Sequence, residues 1–152
     1  DRASKGEYED LSGPRVSKHL ADFFADKRWH LECESHLLPD DRAQLEGTLK
    51  QLCERGCDLV ITTGGTGVGP RDFTPDTVLA LADREIPGIM DAIRLKFGVK
   101  KPNALLSRSV ACVMGRTQVY ALPGSVKAVD EYMGELLKTV EHVVGMLHGL
   151  GH

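Results

Sequence analysis

The sequence lacks the features that characterise nucleic-acid-binding and membrane-spanning proteins. Its formal net charge is −3, so it offers no basic surface for nucleic acid or for an acidic membrane. No apolar run approaches the roughly 18 residues that a membrane-spanning helix requires. We therefore expect neither nucleic acid nor a membrane as a partner.

The sequence also lacks a complete set of metal-binding cysteines and histidines. Its four cysteines are scattered, and the closest pair, Cys53 and Cys57, has no second pair or matching histidine to complete a zinc site. The six histidines form neither an HExxH nor an HxxEH pattern. We interpret the cysteines as reduced thiols with a structural role, which favours a cytoplasmic protein.

The composition indicates one globular domain over residues 1–152. Hydrophobic residues make up 41% of the chain and charged residues 27%, as in ordinary globular proteins. No internal repeat or low-complexity linker interrupts the chain, and its length is ordinary for one domain with its own core. We therefore place no domain boundary.

The first half of the chain alternates between helical and strand patterns. Residues 12–27 carry an amphipathic helical stripe, and residues 29–33 alternate apolar and polar side chains as a strand near a sheet edge does. A second helix, capped by Asp40 or Asp41, ends at Gly56 and is followed by a buried strand. This order predicts an α/β fold with three layers, α/β/α, around a mostly parallel central sheet.

The second half has clearer patterns near its end than at its start. We predict a helix beginning at Thr74 and breaking near Pro87, and another that ends at Gly98. Residues 99–109 have no decisive pattern. Two short strands, 110–114 and 117–122, flank a turn, and residues 126–147 keep helical spacing throughout.

A glycine-rich loop follows the buried strand, in the sequence DLVITTGGTGVGPRDFTPD at residues 58–76. Glycines at 64, 65, 67 and 69 allow positive φ and leave the main-chain N–H groups open to an oxyanion such as phosphate. The spacing does not fit GxGxxG, and no lysine followed by Ser or Thr completes a P-loop. Asp72 instead stands beside the loop, which favours a divalent cation between the carboxylate and a phosphate.

Three loops that leave strands are candidates for a binding site, because ligands of open parallel sheets bind beyond the carboxyl ends of the strands. They are Pro39-Asp40, Thr63–Asp72 and Pro123-Gly124-Ser125. The second and third lead into helix starts, whose free N–H groups favour anions. Ordinary roles stand beside these: Asp40 as a helix N-cap, Pro123-Gly124 as a turn, and Asp72 as a solvated acid.

The glycine loop, together with Arg71, Asp72, Thr74 and Pro75, resembles the signature of the MogA/MoaB family of molybdenum cofactor biosynthesis proteins. Further matches lie in one collinear order along nearly the whole chain. They are Asp1-Arg2-Ala3-Ser4, Asp10 with Ser12-Gly13-Pro14, Pro39-Asp40, Arg84 to Gly88, Ser107-Arg108, and Leu122 to Ser125. Family members place an apolar strand directly before the first of these motifs, so we expect such a strand before residue 1.

The resemblance implies that the protein is a molybdopterin adenylyltransferase with ATP and molybdopterin as substrates and Mg²⁺ as cofactor. Asp72 and Asp40 would be the catalytic residues and metal ligands. The remaining implied binding residues are Thr63, Gly64, Gly65, Thr66, Gly67, Arg71, Thr74, Glu85, Ser107, Arg108, Pro123, Gly124 and Ser125. Among these, Ser107 and Arg108 would contact the pterin or its phosphate. Val126 departs from the proline of many relatives at the adenylate loop.

The resemblance also implies a homo-oligomer, a trimer, and contact with a molybdate-inserting partner protein. Two other functions stay open at this point. One is a molybdopterin-binding module that assists cofactor assembly without catalysis, and the other is a related nucleotide hydrolase. The acids at positions 40 and 72 favour the enzyme, because a simple binding module has little need for carboxylates beside a triphosphate.

Overall fold

Two layers of helices cover a four-stranded sheet in the computed structural model, which describes residues 10–150. The strands are β1 (Leu59–Thr63), β2 (Arg84–Glu85), β3 (Val110–Met114) and β4 (Thr117–Leu122). The α-helices are α1 (Ser12–Phe24), α2 (Arg42–Glu54), α3 (Thr74–Leu81), α4 (Pro87–Gly98) and α5 (Val126–Leu147), and a 3₁₀ turn covers Pro102–Leu106. No helix among these is long and apolar enough to cross a membrane.

The described strands form a mixed sheet in the order β1-β4-β3-β2. Strand β1 pairs with β4 in parallel, whereas β3 pairs antiparallel with both β4 and β2. The β3–β4 pair is a hairpin whose turn includes Gly115 at φ +61°, and so short a connection requires antiparallel strands. The α/β class is therefore confirmed, but among residues 10–150 the sheet is mixed rather than mostly parallel.

Each face of the sheet has its own hydrophobic core. On one face, α1, α4 and α5 pack against inward side chains such as Tyr120 and Leu122. On the other face, α2 and α3 pack against Val60, Cys112 and Val119. Strands β3 and β4 are buried at every residue, as expected for strands covered on both sides. The predicted layering of helices on both faces is confirmed by this arrangement.

The predicted strand at residues 29–33 is wrong. Residues 30–39 have no regular secondary structure, and most of their side chains are exposed. A strand is defined by hydrogen bonds to a neighbouring strand, and this segment pairs with no described strand. The segment and β1 instead line a common groove of about 1110 Å³. The expected strand before residue 1 and the family matches at residues 1–9 lie outside the described residues.

All four cysteines are free thiols. Burial raises the pKa of Cys112 to about 12, and burial also raises the pKa values of Cys53 and Cys33. The raised pKa values keep the thiols of Cys112, Cys53 and Cys33 protonated at neutral pH, in keeping with reduced cysteines of structural role.

Candidate active site

Two of the predicted loops meet beyond the carboxyl ends of β1 and β4. These strands are parallel, so Thr63 and Leu122 end side by side. Gly64 N then donates to Leu122 O at 2.9 Å, and a Cβ on Gly124 would lie only 3.2 Å from Gly64 Cα. The glycine loop and the 123–125 loop are thus in direct backbone contact.

The amino end of β3 reaches the same edge of the sheet because β3 runs antiparallel to β4. It brings Ser107 and Arg108 to the glycine loop. Arg108 N donates to Thr66 O at 2.7 Å, and the Ser107 and Thr66 hydroxyl oxygens lie 3.4 Å apart. Three separate segments of sequence therefore meet at one site.

The glycines of the loop make room for the loop's own side chains. Gly64 and Gly65 have φ of +95° and +69°, which residues with a Cβ rarely adopt. A Cβ on Gly65 would lie 2.4 Å from Thr74 Oγ1, and a Cβ on Gly67 would lie 2.7 Å from Asp72 Oδ2. Sequence reasoning explained these glycines by the approach of a ligand, whereas the structure supplies a packing reason at Gly65 and Gly67.

Asp72 is folded into the glycine loop. Its Oδ2 accepts a hydrogen bond from Gly69 N at 2.9 Å, and its own N–H donates to Gly69 O at 3.1 Å. Among residues 10–150, no donor reaches Asp72 Oδ1 within hydrogen-bond distance. One carboxylate oxygen thus stabilises the loop, and the other is available to a ligand.

Arg108 ties the loop to helix α3. Its Nε donates to Gly67 O at 2.8 Å and its Nη2 to Asp72 O at 2.5 Å, while both Nη atoms contact the Asp76 carboxylate at 3.0 and 3.1 Å. The hydrogen bond from Arg108 lowers the pKa of Asp76, and the same contact raises the pKa of Arg108. Asp76 was missed by sequence reasoning, although an acid in the first turn of a helix is a favourable position that could have drawn attention to it.

The start of α1 holds the 123–125 loop in place through a hydrogen bond. Ser12 Oγ donates to Gly124 O at 2.5 Å, and Asp10 Oδ1 accepts from the N–H groups of Ser12 and Gly13. Ser125 is the N-cap of α5, because its Oγ accepts from Ala128 N at 3.2 Å. Ser12 belonged to a family match but was assigned no role in the site.

Six of the predicted residues line the groove beside β1. They are Asp40, Thr63, Gly64, Gly65, Arg71 and Thr74. Asp40 is exposed on the groove wall, and the N-cap of α2 is Asp41, whose side chain accepts from Ala43 N and Gln44 N. The alternative role of Asp40 as the cap of this helix is therefore removed.

The sheet topology separates Glu85, a predicted site residue, from the glycine loop. It is exposed on β2, where it pairs with Cys112, and β2 lies three strand spacings from β1, or about 14 Å. Its neighbours in the structure link it to β3 rather than to the glycine loop.

The donor set fits a magnesium ion that takes most of its ligands from a nucleotide. Within the described part of the chain, no group of three or more His, Cys, Asp or Glu side chains forms a cage for a metal. Mg²⁺ usually binds through one or two carboxylates together with phosphate oxygens and water. Asp72 with its available Oδ1 meets that requirement with one carboxylate, and Asp40 offers a second on the wall of the groove, whose lining does not include Asp72.

Comparison with known proteins identifies the family. A family profile described as "Probable molybdopterin binding domain" matches residues 1–142. The chain is 44% identical to the molybdopterin adenylyltransferase of Haemophilus influenzae over 86% of this chain and 66% of that protein. It is 40% identical to the Escherichia coli protein of the same name over 99% of this chain and 75% of that protein.

A solved structure agrees with these matches. A molybdopterin biosynthesis protein from Mycobacterium abscessus superposes with a TM-score of 0.87 at 34% identity, covering 99% of this chain and 92% of that one. Fold and sequence thus point the same way over almost the full length. The predicted resemblance is confirmed, and the chain belongs to the MogA/MoaB family of molybdopterin-binding domains.

Proposed function

We propose that this protein acts in molybdenum cofactor biosynthesis as a molybdopterin adenylyltransferase. In this reaction the terminal phosphate oxygen of molybdopterin attacks the α-phosphorus of ATP. The bond from that phosphorus to the bridging oxygen of the β-phosphate breaks, giving adenylylated molybdopterin and pyrophosphate. Relatives named for this activity, at up to 44% identity, support both the role and the enzyme class.

The observation that carries the proposal is the meeting of two loops and two helix starts at one edge of the sheet. Helices α3 and α5 begin directly after the glycine loop and the 123–125 loop, and Gly64 contacts Gly124. Free N–H groups and the positive end of the helix dipole favour phosphate at such places. Phosphoryl transfer depends mainly on positioning and charge neutralisation, which this arrangement offers.

The proposed roles follow the three segments that meet there. The amides of residues 65–68 bind the nucleotide phosphates, assisted by Thr63, Thr66, Arg71 and Thr74, whereas the amides of Gly64 and Gly69, at the two ends of the glycine run, already bond to Leu122 O and Asp72 Oδ2. Pro123, Gly124 and Ser125 line the adenylate pocket. Ser107 faces the pterin side, where its hydroxyl lies beside Thr66 and Ser109, and the neighbouring Arg108 bonds to the glycine loop through Gly67 O and Asp72 O.

Asp72 and Asp40 would hold magnesium, with Glu85 in a supporting role from a greater distance. When bound, the ion neutralises charge on the phosphates and on the departing pyrophosphate. Asp72 also keeps the loop closed through Gly69 N, so its two oxygens have different tasks. A cytoplasmic location, favoured by the four free cysteines, completes the proposal together with a trimeric assembly and contact with a molybdate-inserting protein, which both rest on the family resemblance.

The test is pyrophosphate release from purified protein supplied with molybdopterin and MgATP. We expect release that requires both substrates and yields adenylylated molybdopterin. Molybdopterin binding without pyrophosphate release would show a non-catalytic binding module instead. Nucleotide hydrolysis in the absence of any pterin would show a hydrolase.

A further inference from the structure

Arg108 touches the glycine loop at three points spread along its length. Its main-chain N–H bonds to Thr66 O, its Nε to Gly67 O, and its Nη2 to Asp72 O. The same guanidinium reaches beyond the loop to the Asp76 carboxylate in the first turn of α3. One residue thus holds the beginning and the end of the loop and the start of the following helix.

The chemistry of arginine suits this task, and that of lysine does not. A guanidinium presents five N–H donors in a rigid plane, so it can bond to two carbonyls and a carboxylate at fixed angles. A lysine ammonium is a compact charge on a flexible stem and cannot reproduce that geometry. The Arg108 and Asp76 side chains are 37% and 49% exposed, so their value lies in geometry more than in ion-pair energy.

We propose that Arg108 and Asp76 form a positioning pair that fixes the shape of the glycine loop. The pair holds Gly67 O and Asp72 O, and so sets the direction of the loop amides and of the Asp72 carboxylate. The catalytic consequence of this inference rests on the proposed function, because the loop amides and the Asp72 carboxylate are the groups proposed to bind nucleotide and magnesium. It gives Arg108 a role through the loop, since most donors of its guanidinium already bond to protein atoms.

Three variants test the pair. Arg108→Lys keeps the charge but loses the planar donors, Asp76→Asn loses the charge of the acceptor, and Asp76→Glu keeps it. Arg116→Lys, at the exposed turn between β3 and β4 and so at the opposite end of β3 from Arg108, is the matched control for an Arg-to-Lys change. The first readout is hydrogen exchange of the amides of residues 64–72 in the protein without nucleotide.

We expect exchange in this loop to accelerate about tenfold in Arg108→Lys, which loses the planar bonds to Gly67 O and Asp72 O, and about threefold in Asp76→Asn, which loses only the charge of an exposed partner. Asp76→Glu should restore most of the protection, and Arg116→Lys should match the wild type. The second readout is turnover with molybdopterin and MgATP. Here kcat should fall about tenfold to a hundredfold in Arg108→Lys and Asp76→Asn, with KM for molybdopterin nearly unchanged. A misplaced loop no longer positions the nucleotide phosphates correctly, but it leaves pterin binding intact.

A direct pterin contact by Arg108 gives the opposite pattern and would overturn the proposal. Arg108→Lys would then raise KM for molybdopterin, leave loop exchange unaltered, and have no counterpart in Asp76→Asn. If Arg108→Lys fails to fold, as its melting curve would reveal, Asp76→Asn with its Asp76→Glu rescue carries the test alone. The exchange readout needs no activity, so a failure of the proposed function and a failure of the positioning pair are separate results.

Discussion

The glycine loop (residues 64–72) and the surface segment (residues 29–41) border the same groove but are built differently. The loop is fixed by main-chain hydrogen bonds to β4 and α3 and by Arg108. The surface segment is mostly exposed and is held by side-chain contacts, such as Trp29 Nε1 to Glu141 at 3.1 Å. Each region contributes one predicted metal ligand, Asp72 from the loop and Asp40 from the segment.

Because their surroundings differ, the two carboxylates are not equivalent. A side chain on a loop fixed by several backbone bonds keeps its direction, and preorganised groups contribute most to transition-state stabilisation. A carboxylate on an exposed segment is screened by solvent, so we expect it to contribute less. Comparing the two regions by mutation therefore measures how much preorganisation matters at this site.

The largest expected effect comes from removing the charge at position 72. Asp72→Asn keeps the shape, and the asparagine oxygen can still accept from Gly69 N, so the loop is retained while the negative charge is lost. We expect pyrophosphate release to slow by about a hundredfold or more, with molybdopterin binding largely kept. Asp40→Asn, its counterpart on the surface segment, should slow the reaction by only about tenfold.

Initial rates at saturating MgATP, with molybdopterin binding measured in parallel, decide this comparison. Retained binding in both variants is the control for folding. Near-normal turnover in Asp72→Asn would remove the magnesium assignment. An equal loss in the two variants would remove the distinction between a fixed and an exposed carboxylate.

A smaller effect, on stability, comes from filling the space beside Gly65. Gly65→Ala places a Cβ 2.4 Å from Thr74 Oγ1 at a φ of +69°. We expect the free energy of unfolding to fall by about 2–4 kcal/mol, from the left-handed backbone and the overpacking together. Denaturant titration of the purified variant measures it.

Gly47→Ala is the matched control, because a Cβ at this exposed position in α2 meets nothing within 4 Å. It should stabilise the protein by about 0.5–1 kcal/mol, as alanine does in a helix interior. The double variant Gly65→Ala with Thr74→Ala relieves the contact but not the positive φ, so it should recover only part of the loss. Full stability in Gly65→Ala would show that the loop is not fixed as described.

The sequence predicts the loop better than the segment for a physical reason. Strand β1, the start of α3, the β3–β4 hairpin and α5 follow from local signals: β-branched residues, a proline at the helix start, a short turn and helical spacing. The segment at 29–33 has the alternation of a strand. The alternation shows only which side chains are apolar and which are polar. A strand also needs a neighbouring strand to which it can hydrogen-bond, and nothing in the local sequence indicates whether that neighbour exists.

The same limit applies to the candidate site. The meeting of the glycine loop with the 123–125 loop follows from their positions after two strands, whereas the place of Ser107 beside Thr66 could be predicted only from the family resemblance, because residues 99–109 have no decisive pattern. Asp76 was missed because its partner, Arg108, is 32 residues away. The packing reason for Gly67 was also hidden, because it depends on where the Asp72 side chain turns.

The smallest expected effect tests what holds the surface segment. Glu34 and Arg55 form a two-point contact at 2.8 and 2.9 Å, and hydrogen bonds from Arg55 first and His36 second lower the pKa of Glu34 from 4.5 to about 2.

Because the folded-state pKa is lowered, the contact stabilises the protein above pH 4.5, and this stabilisation is lost as the pH falls through about 2. Both groups are exposed, so the change in stability is small. An NMR titration of the Glu34 carboxyl carbon should show a midpoint well below the ordinary glutamate value of 4.5, and Arg55→Gln should move it most of the way back toward 4.5, with His36 retaining part of the shift. Identical midpoints for Glu34 in the wild type and in Arg55→Gln would mean that this contact does not hold the segment in solution.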